Sequence, residues 1–308
     1  MPESTGTHAP LVVWVISDNK SGHVNQSMGL AKALARATPT TIHPLSTLPS
    51  WRALLAWLLK RAPANGLPKP DLILAAGHTT HLSLLAARRS NGGRAVVLMK
   101  PSLPRRLFDL CIIPQHDGVA EDAYTLATEG ALNRILPAPA LDSHTGLFLI
   151  GGASPHFDWD TDAIQVQIKS VLARTPDTHW TLTTSRRTPE GFLTQLSSYP
   201  NLTVVHQTAT ADDWLPAQLA QSGTVWVTPD SASMVFEALT AGADVGVFDL
   251  PVNPRSRVGK AIAHLADEQR ITRFVAWCAH GKLQPNLHPL AEADRCADWI
   301  LKWLKQKN

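Results

Sequence analysis

Short apolar runs, each bounded by polar turns, recur along the whole chain. In the first half they cover residues 11–16, 71–76, 95–98 and 110–113, and in the second half 147–150, 180–183, 202–206, 225–227 and 245–248. Within each run the residues are apolar throughout instead of alternating. That is the pattern of parallel strands buried on both faces. Between them, residues 24–36, 82–89, 162–172 and 234–241 carry helical spacing. Strand and helix in alternation predict an α/β protein made of doubly wound parallel sheets.

The chain has 308 residues, more than one core comfortably holds, so two domains are expected. A Pro-rich stretch at residues 136–142 follows a weakly patterned region and marks the boundary. The expected division is residues 1–140 and 141–288, with a helix in 289–308 free to return to the first domain. Each half opens alike: a strand at 11–16 runs into a turn with Gly22, and one at 147–150 runs into Gly151-Gly152. Two Rossmann-like halves facing a cleft would bind ligand beyond the carboxyl ends of their strands.

Composition narrows the function classes. Hydrophobic content of 44% with 17% charge describes a globular chain. A net charge of +3 and a pI near 8.8 suit a surface close to phosphates or anionic lipid, but are too mild to argue for nucleic acid. No apolar run approaches the ~20 residues that span a bilayer. Residues 1–10 lack the basic and apolar regions of a signal peptide, and the scattered Cys111, Cys278 and Cys296 read as reduced thiols, so a cytoplasmic location is expected.

The richest segment is 225–251. A strand ends in Thr228-Pro229-Asp230-Ser231, a helix follows, and a second strand closes a βαβ unit. Orphan N–H groups and the dipole at that helix start favour an anion. Glu237, two turns in, is a carboxylate able to accept from paired sugar hydroxyls. Gly151-Gly152 is either a phosphate-admitting turn or a tight βα connection. Ser185, Arg186 and Arg187 end another strand at the same predicted edge, where arginine's planar fork suits phosphate oxygens and a solvated charge pair is the alternative.

In the first half, Asp18, Lys20, Ser21, Gly22, His23, Asn25 and Gln26 join the first strand to the first helix. His23 there is a general base for an acceptor hydroxyl or a loop-bracing residue. No GxGxxG fingerprint is present. Gly77, His78 and Thr79 follow another strand. His78 and His81 would share a helical face, yet nothing nearby completes a metal site. His116 and Asp117, after a further strand, line the crevice or a surface turn. Residues 51–61 form a short apolar helix with two tryptophans and basic ends, either a packed domain helix, the plainer reading, or a membrane-interface element. Residues 299–305 are similar, and packing is again the plainer reading.

Together the segments 18–26, 151–152, 184–189 and 228–234 with Glu237-Ala238 resemble the bacterial members of the mitochondrial fission "elongated mitochondria" family, over nearly the whole chain. The resemblance implies a GT-B architecture, two Rossmann-like domains with an active site between them. More distantly the chain is similar to lipid-acceptor glycosyltransferases of the MurG type. There a histidine in a Gly-rich first loop matches Gly22-His23, and a ribose-binding glutamate matches Glu237. It departs from that type in having Lys20-Ser21-Gly22 for a more glycine-rich loop, and Asp230-Ser231-Ala232-Ser233 for an Arg-Ser-Gly-Ala turn.

The resulting expectation is an inverting, metal-independent glycosyltransferase without a cofactor. A nucleoside-diphosphate sugar would sit on Gly151, Gly152, Ser185, Arg186, Arg187, Asp230, Ser231, Ser233 and Met234, with Glu237 on the ribose. His23, or else Asp117, would be the base. Asp18, Lys20, Ser21, Gly22, Asn25, Gln26, Gly77, His78, Thr79 and His116 would face a saccharide or lipid-linked acceptor in surface-glycan assembly. A peripheral inner-membrane contact belongs to this picture, and nucleic acid does not. The alternatives are a non-catalytic adaptor for a protein or membrane partner, and a nucleotide-sugar epimerase.

Overall fold

The computed structural model describes residues 9–64, 66–196 and 199–306; most of the N-terminal stretch weighed as a signal peptide lies outside them. The chain forms two compact units, one from Met1–Arg134 with Glu292–Asn308 and the other from Ile135–Ala291.

Unit 1 runs β1 (Leu11–Ser17), α1 (Ser21–Ala37), β2 (Thr40–Ser46), α2 (Ser50–Leu59), β3 (Leu72–Ala76), α3 (His81–Asn91), β4 (Arg94–Leu98), β5 (Leu110–Pro114) and β6 (Thr125–Thr128). Its strands pair in parallel in the order 2-1-3-4-5-6. Alternate residues of each strand feed opposite cores. Val13, Leu72, Leu74 and Val96 pack with Leu30 and Leu34 of α1, while Trp14, Ile73 and Val97 pack with Leu84 of α3. Both faces are dry, so the central positions of these strands are apolar, with Ser17 and Arg94 only at strand ends. Edge strand β2 escapes the apolar pattern because its sequence, TTIHPLS, is half polar and holds Pro44, which an edge tolerates.

Unit 2 runs β7 (Asp142–Leu149), α4 (Thr161–Arg174), β8 (His179–Thr183), β9 (Leu202–Val205), α5 (Trp214–Leu219), β10 (Ser222–Val227), α6 (Ala232–Ala241), β11 (Asp244–Val247), α7 (Arg257–Asp267), β12 (Thr272–Arg273) and α8 (Phe274–His280). Its sheet, again parallel, has the order 12-11-10-7-8-9. Aromatic rings fill one core: Phe148 stacks on Trp180 at 4.3 Å and Trp226 on Phe248 at 5.1 Å. Of the ten tryptophans, Trp14, Trp180 and Trp226 are no more than 1% exposed, and Trp277 and Trp303 are also buried.

The last helix, α9 (Glu292–Gln306), buries Cys296, Ala297, Ile300 and Trp303 in the core that α1 also covers. Helix α2 departs from the packed helix its sequence suggests. It buries only Ala53 and Ala56, and its large apolar side chains face outward. No helix among the described residues is long and apolar enough to cross a membrane.

Candidate functional site

In unit 2 the first strand, β7, lies mid-sheet between β8 and β10. The chain leaves β7 toward β8 and leaves β10 toward β11, so the loops after β7 and β10 part at their carboxyl ends, where open α/β sheets bind ligands. Those loops and the one after β8 are stitched together. Gly151 N–H donates to the Thr228 hydroxyl at 2.7 Å, and Gly152 N–H to Asp230 Oδ2 at 3.1 Å. The hydroxyls of Ser185 (2.9 Å) and Thr188 donate to the Gly151 carbonyl. Arg187 closes the set. Its Nη2 lies 2.7 Å from Asp230 Oδ2, and its Nη1 donates to the Gly152 and Ala153 carbonyls at 3.1 Å. Both glycines are dictated by contact: a Cβ on Gly151 would overlap the Asp230 carboxylate, and one on Gly152 the Arg187 carbonyl.

Helix α6 starts from this knot. Ser231 is its N-cap residue but supplies no side-chain cap, and no acid lies in its first turn. By contrast Asp160 caps α4 and Ser256 caps α7. The first N–H groups of α6 thus have no side-chain cap, beside backbone that glycine lets approach closely. Asp230 complicates a purely anionic reading. Its side chain is 1% exposed, and no described group donates to Oδ1. Its charge is matched by Arg187, so Arg187 is a tie between loops; Arg186, beside it, is exposed. Ser233 is exposed, Met234 half-buried and Glu237 buried on α6. Thr188 and Thr228, which hold the loops, were missed as site residues; Thr228 carries the signal of a hydroxyl directly after a strand, while Thr188 stands five residues beyond β8.

The second cluster lies in unit 1, where β1 sits between β2 and β3 and the loops after β1 and β3 part. His23 Nδ1 is 3.0 Å from both Asp18 oxygens. Thr79 donates to Asp18 Oδ2 at 2.7 Å, and Lys20 N–H to Oδ1 at 3.2 Å. Burial raises the Asp18 pKa, but these bonds from Thr79, His23 and Lys20 outweigh it and hold the carboxyl at about 2. An ionised carboxylate only accepts, so His23 carries its proton on Nδ1 and Nε2 is left as the basic nitrogen. Gly77, at φ +84°, lies under the His23 ring, where any Cβ would overlap the imidazole. The aspartate–histidine pairing was not foreseen, although Asp18 and His23 were both candidates; five residues apart across a strand–helix turn was its only sequence signal.

Other candidates lie elsewhere in unit 1. Lys20, Ser21 and Gly22 are exposed at the start of α1, and His78 is exposed on the turn after Gly77. Past the first turn of α1, Asn25 accepts from Arg134 at 3.0 Å and Gln26 is buried. His81 does not share a face with His78. It is buried edge-on against Phe108 with Ser102 Oγ at 3.3 Å, and burial, then the charge of His78, pushes its pKa down to about 4. His116 and Asp117 follow β5, three strands from β1 or roughly 14 Å across the sheet. They are outside the Asp18–His23 cluster. Among the described residues no group of three or more His, Cys, Asp or Glu is placed to hold a metal ion.

Comparison with known proteins places this geometry. The family described as Mitochondrial fission ELM1 matches residues 21–304. The uncharacterized protein RP120 of Rickettsia prowazekii (strain Madrid E) is 24% identical over 357 residues, covering 95% of this chain and 98% of that protein. Among solved structures, Acinetobacter baumannii MurG is similar with a TM-score of 0.56 at 14% identity, covering 95% of this chain and 100% of that one. The UDP-GlcNAc 2-epimerase of Neisseria meningitidis bound to UDP-GlcNAc gives 0.55 at 12% identity, covering 96% and 100%. The fold is α/β of the GT-B class that glycosyltransferases and such epimerases share.

Proposed function

The chain belongs to the Mitochondrial fission ELM1 family, and we propose that it is a glycosyltransferase that moves a sugar from a nucleoside diphosphate to a saccharide or lipid-linked hydroxyl in surface-glycan assembly. The donor diphosphate lies on the start of α6, against the backbone of Ser231, Ser233 and Met234, with Gly151 and Gly152 allowing approach and Arg186 supplying charge. Ser185 and Arg187 keep the loops in register. Glu237 accepts from the ribose hydroxyls. That neighbours in fold include an epimerase bound to UDP-GlcNAc supports a uridine nucleotide as the first candidate.

In the reaction, His23 Nε2 takes the acceptor hydroxyl's proton. The oxygen bonds to the anomeric carbon as the carbon–phosphate oxygen bond breaks, and the diphosphate leaves with the electron pair. Donors aimed at that growing charge contribute about 10²–10³-fold each in comparable sites. Asp18 steadies the imidazolium, with Thr79 and the Lys20 N–H fixing the carboxylate. Lys20, Ser21, Gly22, Gly77 and His78 border the acceptor, and Asp117 with His116 is the runner-up base.

The observation that carries an enzyme over an adaptor is the Asp18–His23 pair at 3.0 Å. A histidine held in one tautomer with its other nitrogen basic is built for proton transfer. The test is to incubate the protein with labelled UDP-, GDP- and CDP-sugars and lipid or saccharide fractions of the host. Label passed to an acceptor, and lost in His23→Ala, supports the reading. Turnover of the sugar with no acceptor would reassign it as an epimerase, and no turnover of any kind would favour the adaptor.

A further inference from the structure

Helix α2 and its neighbour α3 present a face that the transfer reaction does not use. On α2, Trp51 is 64% exposed, Leu58 58%, Leu59 59%, and Leu54 and Leu55 48% each. Beside them opens a groove of about 620 Å³, lined by Leu54, Trp57, Leu82, Leu85, Leu103 and Leu107. Single exposed leucines are ordinary, but a contiguous apolar helix beside an apolar groove is not.

Charge says what covers it. From Asn19 to Phe108 the only acidic residue is Asp71, against thirteen lysines and arginines, while the whole chain is only +3. Some of these cations are already matched, Arg88 by Asp109 at 2.8 Å and Arg105 by Asp122 at 2.7 Å. Others rim the apolar face. Arg52 lies over the Trp51 ring at 5.0 Å and Arg89 over Trp57 at 4.5 Å, and Lys60, Arg61 and Arg106 are exposed. A second copy of this chain would bring the same positive rim to a two-fold interface and repel. Tryptophan and leucine on one side with lysine and arginine around them fit a surface that is apolar inside and anionic outside. At ten residues α2 is about 15 Å long, so it can lie in such a surface and cannot span it.

We propose that the α2–α3 face docks unit 1 onto an anionic phospholipid bilayer. The α2 side chains enter the headgroup–acyl boundary, an acyl chain occupies the groove, and Arg52, Lys60, Arg61 and Arg89 pair with lipid phosphates. This assignment is independent of the donor site and of the Asp18–His23 pair.

The test is sedimentation of the full chain with vesicles of phosphatidylcholine alone, or of phosphatidylcholine with phosphatidylglycerol. One variant carries Trp51→Ser, Leu55→Ser and Leu58→Ser, and a second carries Arg52→Glu and Arg61→Glu. All five positions are exposed, so thermal unfolding should stay at the wild-type temperature and report that both variants fold. Wild type should bind the phosphatidylglycerol vesicles, weaken as salt rises, and leave phosphatidylcholine vesicles largely unbound. Each basic residue near an anionic surface is worth about fivefold in binding, so the charge reversal should cost more than tenfold. The serine variant should lose at least as much. The proposal is overturned if wild type ignores phosphatidylglycerol, if both vesicle types bind equally, or if the folded variants bind like wild type. It is equally overturned if the protein instead dimerises in sedimentation equilibrium and the serine variant abolishes that dimer.

Discussion

Replacing Asp230 by Asn keeps the shape of the central tie in unit 2 and removes its charge. Asp230 Oδ2 holds Arg187 at 2.7 Å and accepts from Gly152 N–H at 3.1 Å. Breaking a fully buried ion pair costs about 3–5 kcal/mol, and an exposed one about 0–1. Here the carboxylate is 1% exposed but the guanidinium 41%, so water recovers part of the arginine's loss. The expected cost is about 1–2 kcal/mol, between those limits. For a unit of this size that lowers Tm by about 2–8 °C. Calorimetry at pH 7 of Asp230→Asn, Arg187→Gln and the double variant tests it. The double variant should be no worse than about 1 kcal/mol beyond either single change, because both remove one interaction. A Tm for Asp230→Asn within about 1 °C of wild type, or strictly additive losses, would refute the idea that this pair ties the loops.

Three further outcomes follow from the same geometry. Gly77→Ala must place a side chain at φ +84° and into the His23 ring; backbone strain alone should cost about 1–3 kcal/mol, read as a lower Tm, and turnover should fall with it. Burial pushes the His81 pKa down to about 4 in the folded chain from the ordinary 6.5 of an exposed imidazole, so the unfolded chain binds the extra proton first. Its contribution is full above pH 6.5 and declines as pH falls toward 4, by about 2 kcal/mol at pH 5; His81→Asn should flatten that slope in urea titrations, and an unchanged slope would assign it to other groups. Ile300→Ala empties a fully buried position in the core shared by α1 and α9 and should cost about 2–5 kcal/mol; a Tm unchanged by it would mean that α9 is not integral to unit 1.

The strands were readable where both faces are dry, because the central residues of β1, β3, β4 and β5 must then be apolar. Where one face or one edge meets water the signal fails. Thus β2, with Pro44 and two adjacent threonines, and the two-residue β12 do not stand out, and the mostly polar first part of β7 conceals five of its residues, 142–146. Helix α2 misled for a related reason: apolar periodicity reports which residues avoid water but not what covers them. Loop chemistry was legible as residue types only. Asp18 and His23, or Arg187 and Asp230, are ordinary polar residues in the sequence. Their pairing depends on strand order, which brings the loops after β1 and β3, or after β7, β8 and β10, to one edge. The alternation of strands and helices pointed to a shared carboxyl edge, but which loops adjoin there is set by the strand order that the structure shows.

The most direct measurement is isothermal titration of the protein with UDP, GDP, CDP and their sugars, repeated with Glu237→Ala. Glu237 is buried on α6, so circular dichroism and the Tm of the variant check that it keeps the fold. The account predicts that one nucleotide family binds the wild type, and that Glu237→Ala weakens it by about 10–100-fold, the worth of hydrogen bonds to a charged group. No binding by any nucleotide, or equal affinity in the folded variant, would contradict a donor site at the start of α6.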